Sequence, residues 1–468
     1  MTKDRPSVAD CENRLLPAEE EHEHSMEQPK LHKVYTRRWV ILGIFCLCSM
    51  SNAFQWIQYG IISNIIVQYY NTSPLVVNWF SMLYMLCYIP LIFPATWLLD
   101  ARGLRLVTIL GSGMNAVGAC LKLASMGRNL IGVAMAAQTI SASAQVFILG
   151  IPAHLAAVWF GRSARGVHRN SHRCLRQSGT NLGIAVGFLL PPVLVPVSED
   201  QEAVQRGLST MFYGTAAVTT CLFLLVLFVF QDAPPIPPSP AQVAIKLSQS
   251  DDRSYVRSIR TLLSNGSFLL LVITYGINAG CFYSLSTLLN QIILHYFLDA
   301  EVDTGWVGLT IVFAGMVGSV LCGLWLDRTK TFKFTTLVVY LLTFAGMMTF
   351  TYTLDLDRMW VVFLVAGFLG FFMTGYLPLG FEFAAEITYP EPEGTSSGLL
   401  NASAQAFGVA FTLGMGVLVE RGDIRVSLLV LSGGLLLGTL LTVLIKSDLR
   451  RQAAGHAATL LADGPTNV

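Results

Sequence analysis

Two aromatic residues lie within apolar stretches of the sequence, where they could hold a cation without a carboxylate. Trp56 is flanked by Gln55, Gln58 and Tyr59, and Tyr283 lies in the middle of a later apolar stretch. A methylated ammonium ion has a diffuse charge and an apolar surface, so aromatic faces bind it with about 2 kcal/mol or more per desolvated contact. The pattern is compatible with a cage for such a cation, and the competing interpretation is ordinary packing of aromatic residues in a membrane.

Amide and charged side chains inside the apolar stretches indicate how a ligand could be bound and whether its transport is coupled to ions. Gln405 could accept a hydrogen bond from a hydroxyl or amine at the far end of the same ligand, and a helix-to-helix hydrogen bond is the alternative. Only Lys122 and Glu382 carry charge well inside these stretches, with Glu386 close to an end. Coupling to protons or sodium usually needs a buried carboxylate, so this scarcity favours facilitated movement of a solute down its own gradient.

The bulk composition places these residues in lipid. Of the 468 residues, 53% are hydrophobic and only 13% are charged, against about 25% charged in an average soluble domain. So few charges could not cover the surface of a soluble protein of this size, which argues against a soluble enzyme or a nucleic-acid binder. The sequence shows no nucleophile with a base and no metal-ligand cluster, so we expect no enzyme activity, no cofactor and no bound metal.

The elements that must position the site are apolar runs of about 20 residues, each long enough to cross about 30 Å of hydrocarbon. They predict an all-α polytopic membrane protein with 12 transmembrane helices in two pseudo-symmetric sets of six. Lys and Arg cluster on one side of the predicted membrane, which places both termini in the cytoplasm. The predicted order is a disordered cytoplasmic tail (1–38), a first half (39–230), a cytoplasmic linker (231–267), a second half (268–449) and a cytoplasmic tail (450–468).

A short charged motif follows the second predicted helix of each half. The residues are Asp100, Arg102 and Arg105 in the first half and Asp327, Arg328 and Lys330 in the second. An acid at a helix end can pair with basic residues across a short turn, forming a latch that breaks when the halves rock. The alternative is a simple charge cluster that sets the membrane orientation. The recurrence favours the latch, and the pattern resembles the signature loop of the major facilitator superfamily.

Longer stretches resemble one family within that superfamily, the feline leukaemia virus subgroup C receptor-related transporters. The similarity covers about residues 35 to 450, and Asn278-Ala-Gly280 before Phe282 favours the second member of the family over the first. The similar stretches are NAFQWIQY (52–59), PLIFPATWLLD (90–100), AQVFILG (144–150), FYSLSTLLN (282–290), GYLPLGFEF (375–383) and GTSSGLLNASAQ (394–405).

This resemblance implies a uniporter of choline, and of the related ethanolamine, that works by alternating access in a lipid bilayer. In the family, the residues that match Trp56 and Tyr283 are implicated in binding choline, and Gln405 matches a further site position. Asn64 and Glu393 match positions near the two mouths of the pathway, where they could act as gates. We expect a monomer without nucleic-acid partners in the plasma membrane, with the mitochondrial and endoplasmic reticulum membranes as alternatives.

Haem is the competing substrate, because the family has also been linked to haem. Haem is flat and dianionic, so a haem path should show basic residues and a histidine or cysteine ligand. The only histidine inside the predicted membrane is His154, for which a capping or packing role is the simpler interpretation. Trp56→Ala would separate the two substrates, since haem transport should be little affected.

One stretch, 161–180, does not match the family although both flanks do. Its five arginines would cost about 2.5 to 3.5 kcal/mol each in the bilayer, and the apolar remainder, 182–197, is short for a span. Asn181 stands where the family has a site glutamine, so Asn181 either replaces it or the function is lost. We favour a local reading-frame shift in the gene sequence over a cytoplasmic elaboration or a metal site at His168, His172 and Cys174. A genuine stretch would indicate an inactive variant or a non-transporting receptor.

Overall fold

The computed structural model of the chain describes residues 35–160, 167–198, 200–234, 255–391 and 393–453, in which all regular structure is helical. Most of both predicted tails, residues 235–254 of the predicted linker and residues 161–166 lie outside these ranges. The α-helices of the described part are α1 (Arg37–Ile57), α2 (Ser63–Tyr70), α3 (Pro74–Arg102), α4 (Leu104–Leu123), α5 (Ile131–Phe160), α6 (Val167–Leu194), α7 (Gln201–Val229), α8 (Tyr255–Ser264), α9 (Gly266–Tyr296), α10 (Glu301–Thr329), α11 (Phe332–Thr353), α12 (Met359–Ile387), α13 (Glu393–Glu420) and α14 (Ile424–Leu444).

Eleven segments of the described chain are long and apolar enough to cross a membrane. One of them, Arg37–Tyr70, combines α1, a short 3₁₀ turn at Gly60–Ile62 and α2. The remaining predicted span is α6, in which only Gly179–Leu194 is apolar. With the short fifth span included, the helices confirm the predicted all-α polytopic fold.

Helix α6 shows why the fifth span reads as short in the sequence. The helix runs from Val167 to Leu194, but its apolar part begins only at Gly179. The side chains of residues 167–178, including His168, His172 and Cys174, lie outside the described part of the structure. The helix therefore continues beyond the point where hydropathy alone would end it.

The helices form two groups that correspond to the predicted halves. In the first group α4 packs on α5 and α7, and in the second α10 packs on α12 and α9 packs on α13. The groups meet where α6 lies against α10 and α3 lies against α13. Helix α8, within the predicted linker, packs on α9 and α13 of the second group.

Glycine residues allow the closest of these approaches. A Cβ atom at Gly183 of α6 would collide with the Met50 carbonyl of α1, and one at Gly179 would lie 2.8 Å from the Cys46 carbonyl oxygen. Across the two groups, a Cβ at Gly305 of α10 would lie 2.7 Å from the Phe188 carbonyl oxygen of α6. Membrane helices lack a hydrophobic driving force between them, so close packing at small residues supplies much of their association.

Candidate functional site

Trp56 and Tyr283 meet between the two halves of the bundle. Trp56 lies at the end of α1 and Tyr283 in the middle of α9, and their ring centroids are 5.5 Å apart with planes inclined at 78°. Trp56 is 5% exposed and Tyr283 is partly exposed. An edge-to-face pair leaves ring faces available, and a cation within about 6 Å of a ring centroid is attracted to that face. The structure thus brings together the two aromatic residues that the sequence suggested for a cage.

Gln405 of α13 lies beside this pair. Its side chain lies close to that of Tyr283, and its buried Nε2 has no hydrogen-bond partner among the residues that the structure describes. Space for Tyr283 exists because residue 408 is glycine, where a Cβ would lie 3.2 Å from Tyr283 Cδ2 and 2.9 Å from Met85 Sδ. A buried amide donor without a partner is costly, so Nε2 is suited to donate to a ligand oxygen. This is the reverse of the acceptor role that the sequence suggested.

Asn181 is buried in α6. The neighbouring turn of α6 faces α1, where the Thr180 and Ser49 hydroxyls are 2.6 Å apart. In the described structure no hydrogen bond joins Asn181 to Trp56, Tyr283 or Gln405. Its role as a ligand residue therefore stays a prediction.

The first half contains a buried polar network that the sequence did not reveal. Lys122 is fully buried, its Nζ donates to Gln55 Oε1 at 2.8 Å, and it lies 5.6 Å from the centre of the Tyr59 ring. Gln55 Nε2 donates in turn to Asn115 Oδ1 at 2.9 Å, and Ser141 Oγ donates to Gln55 Oε1 at 3.1 Å. Gln55 therefore faces α4 and α5 rather than the aromatic pair. Adjacent residues of a helix are about 100° apart around its axis, so the sequence already indicated that Gln55 and Trp56 point in different directions.

One end of the bundle, which we call the Asn64 end, is closed by hydrogen bonds between the halves. Asn64 Nδ2 donates to Glu301 Oε1 at 3.0 Å, and Asn290 Nδ2 donates to the Ile61 carbonyl at 2.8 Å. That carbonyl lies in the 3₁₀ turn after α1, where the interrupted helix needs outside partners for its backbone. Gln291 Nε2 donates to Asn78 Oδ1 at 2.8 Å in the same region. The structure therefore places Asn64 where a gate between the halves would act.

At the opposite end, the hydrogen bonds of the predicted latch residue Arg105 go to the first half and to the start of the predicted linker. Arg105 donates from its backbone N–H to Asp232 Oδ1 at 3.0 Å and from its guanidinium to the Leu227 carbonyl at 3.2 Å. Glu393, a predicted gate, pairs with Arg451 of the predicted C-terminal tail at 3.1 Å.

The other predicted latch residues give no contact between halves. Arg102, Asp327, Arg328 and Lys330 are exposed and form no ion pair within the described ranges, and the Asp100 side chain lies outside them. A latch between halves at this end stays a prediction.

Comparison with known proteins gives the family. The sequence profile of the Major Facilitator Superfamily matches residues 44–413. "Choline/ethanolamine transporter flvcr2a" of Danio rerio is 53% identical over 425 residues, 91% of this chain and 89% of the relative. "Choline/ethanolamine transporter FLVCR2" of Homo sapiens is 51% identical (90% and 80% covered), and "Choline/ethanolamine transporter FLVCR1" of Felis catus is 56% identical (89% and 74%).

Among solved structures, the fold is similar to that of the Escherichia coli fucose:proton symporter FucP, with a TM-score of 0.60 at 15% identity over 88% of this chain and 99% of FucP. It is also similar to an inward-facing, occupied bacterial homologue of the lysosomal transporter Spinster, with a TM-score of 0.62 at 12% identity over 88% and 97% of the two chains. Identities to FLVCR1 and FLVCR2 relatives overlap, so the preference for the second member stays a prediction. The chain belongs to the major facilitator superfamily of transporters, which are not enzymes, and within it to the FLVCR family.

Proposed function

We propose that the chain is a facilitative uniporter of choline, with ethanolamine as a second substrate, that works by alternating access. The observation that carries the proposal is the 5.5 Å ring contact of Trp56 with Tyr283 across the two halves. The names of the relatives, choline/ethanolamine transporters, support choline as the ligand of this aromatic pair. Aromatic faces can bind the quaternary ammonium group, and the Gln405 Nε2 can donate to the hydroxyl oxygen of choline.

The position of the aromatic pair links binding to movement. Trp56 belongs to the first half and Tyr283 to the second, so a cation on both ring faces makes contact with both halves at once. When the halves rock, one end of the pathway opens as the other closes around a site near the middle of the membrane. The closed Asn64 end fits one of these states, and Asn64 and Glu393 are our proposed gates.

The charges of the core support uniport. The fully buried Lys122 bonds to an amide, and no carboxylate forms an ion pair with it among the residues that the structure describes. Carriers coupled to protons or sodium usually use buried carboxylates. Collapsing the proton and sodium gradients at fixed membrane potential should leave choline uptake intact, and abolished uptake would contradict uniport.

Uptake of labelled choline by cells that express the chain tests the substrate. Trp56→Ala removes one aromatic face worth about 2 kcal/mol, so uptake efficiency should fall about 30-fold, with part of it restored by Trp56→Phe. Trp97→Ala is the matched control, because Trp97 is 65% exposed on α3. Equal choline uptake by Trp56→Ala and Trp97→Ala would contradict the aromatic cage. If the chain carries haem and not choline, and Trp56→Ala leaves haem uptake unchanged, haem is the substrate.

We also propose the setting in which the carrier works. Both termini and the Arg105 end face the cytoplasm, because Lys and Arg are concentrated there, and the Asn64 end faces outward. We propose a monomer in the plasma membrane. Impermeant labels on single cysteines introduced at each end of intact cells would test the orientation.

The discordant stretch 161–180 bears on activity, because α6 forms part of the contact between halves. We favour a reading-frame shift in the gene sequence there, and an inactive variant is the alternative if the stretch is genuine. Sequencing the transcript across this region decides between them, and an intact frame that encodes the same arginines would contradict the shift.

A further inference from the structure

A lateral groove opens on the membrane-facing surface of the second half, away from the aromatic pair. It has a volume of about 250 Å³ and lies between the end of α10, the start of α11 and the middle of α12. Two of its walls are strongly exposed aromatic residues, since Trp325 is 57% and Phe334 is 63% exposed. The other walls include Leu321, Cys322, Val338 and Phe371. An apolar groove of this shape is suited to a hydrocarbon chain.

Two basic residues, Arg328 and Lys330, follow the groove-lining part of α10. Arg328 follows Leu321 and Trp325 at spacings of seven and three residues, so all three lie on one face of α10. Arg328 is exposed, as is Lys330 in the turn that follows, and neither forms an ion pair within the described part of the chain. Lys330 lies close enough to the Glu386 carboxylate to interact with its charge, so Arg328 is the main anion-binding group. Asp327 is the neighbouring acid, displaced from Arg328 by about 100° around the helix. In the first half, the motif residue Arg105 is instead bonded to the Leu227 carbonyl.

We propose that this groove is a binding site for an anionic phospholipid, with one acyl chain between α10 and α11 and the phosphate on Arg328 and Lys330. The apolar groove suits an acyl chain, and the two basic residues that follow its α10 wall suit an anionic head group. Guanidinium groups bind phosphate oxygens in a two-pronged geometry that also gives specificity. Arginine and lysine side chains next to a membrane surface are attracted to anionic lipids of the cytoplasmic leaflet.

Lys333, in the first turn of α11, provides a matched control close to Arg328 in the sequence. It lies on α11, where a spacing of 100° per residue separates it by about 160° from Thr335 and about 140° from Val338, which both line the groove. Arg328→Gln and Lys333→Gln each remove one positive charge near the same membrane surface. A diffuse attraction to anionic lipid would weaken equally in both, whereas the proposed site depends on Arg328 and not on Lys333.

The experiment uses the full-length protein in nanodiscs of phosphatidylcholine with a minor fraction of phosphatidylglycerol. Native mass spectrometry should show one retained phosphatidylglycerol on the wild-type chain, with retention about fivefold weaker in Arg328→Gln and unchanged in Lys333→Gln. Val338→Trp, which fills the groove, should lose the lipid while keeping both basic residues. Because choline uptake is not the readout, failure here leaves the proposed transport function unaffected.

Three results would overturn the proposal. They are equal retention of phosphatidylcholine and phosphatidylglycerol, equal weakening by Arg328→Gln and Lys333→Gln, and retention of a sterol in place of a phospholipid when cholesterol is added. If Val338→Trp fails to fold, Leu321→Trp fills the same groove from α10 and carries the same expectation.

Discussion

A single added methyl group at Gly305 should open the Asn64 end of the bundle. Gly305 lies one turn into α10, where a Cβ would be 2.7 Å from the Phe188 carbonyl oxygen and 3.3 Å from Pro192 Cγ, both in α6 of the other half. The carbonyl is backbone and cannot rotate away, so Gly305→Ala requires α6 and α10 to separate by several tenths of an ångström. In a conformation with the two halves apart at this end, the methyl group has no such collision.

The size of the effect follows from the cost of overpacking. Forcing an extra methyl group into a close-packed contact costs about 1–3 kcal/mol, and the cost applies only to the closed state. This corresponds to a shift of about 5- to 150-fold in the ratio of open to closed molecules. The gain in helix propensity from Gly to Ala, about 0.5–1 kcal/mol, is common to both states and does not change the ratio.

The assay is the rate at which a maleimide modifies Ser63→Cys in purified protein in nanodiscs. Ser63 is 1% exposed in the closed structure, and its Oγ lies 3.3 Å from Gln291 Nε2 of the other half. Gly305→Ala should accelerate the modification by the factor above. Gly323→Ala is the control, because a Cβ at Gly323 of the same helix meets nothing within 4 Å. Equal rates in the two variants would refute the argument that contact between α6 and α10 holds this end closed.

Two further predictions concern polar contacts. Asn64→Ala and Glu301→Ala should each accelerate the same Ser63→Cys modification, and the double variant should exceed neither by much, because each removes one partner of the same 3.0 Å hydrogen bond. Additive effects would show that the two side chains act separately. In the first half, Gln55→Leu should lower the thermal unfolding temperature more than Lys122→Met does. The leucine leaves the buried Lys122 Nζ without its acceptor, whereas the methionine removes the buried amine itself. A larger loss in Lys122→Met, measured in the same detergent, would contradict the view that the lysine is the costly member of the network.

Much of the fold could be predicted because a membrane imposes a simple rule on sequence. A span must hide its backbone polar groups inside a helix and present about 20 apolar residues to lipid, so hydropathy alone marks most helices. The rule failed at α6, where the helix continues through residues 167–178 without being apolar. Hydropathy reports burial in lipid, and it does not report where a helix itself ends.

The candidate site was predictable only in part, since residue type identifies a binding group but not the direction in which it points. Gln55 and Trp56 are neighbours in the sequence, yet Trp56 meets Tyr283 of the other half and Gln55 bonds to Lys122 within its own half. The same limit applies to Arg105, whose charge suggested a latch and whose contacts lie with Asp232 and Leu227. Such assignments depend on helix rotation and on neighbours that are distant in the chain.

The sequence by itself determined that the chain spans a lipid bilayer, where most of its helices lie and which family it resembles, because hydropathy and short motifs are local properties of the chain. Only the tertiary structure decided which polar groups close the Asn64 end, that Lys122 is held by an amide, and that an apolar groove opens between α10, α11 and α12. The physical reason is that each of these contacts joins separate helices. Their geometry is set by how closely the backbones approach, as at Gly305 and Phe188, and that distance is not written in any single segment.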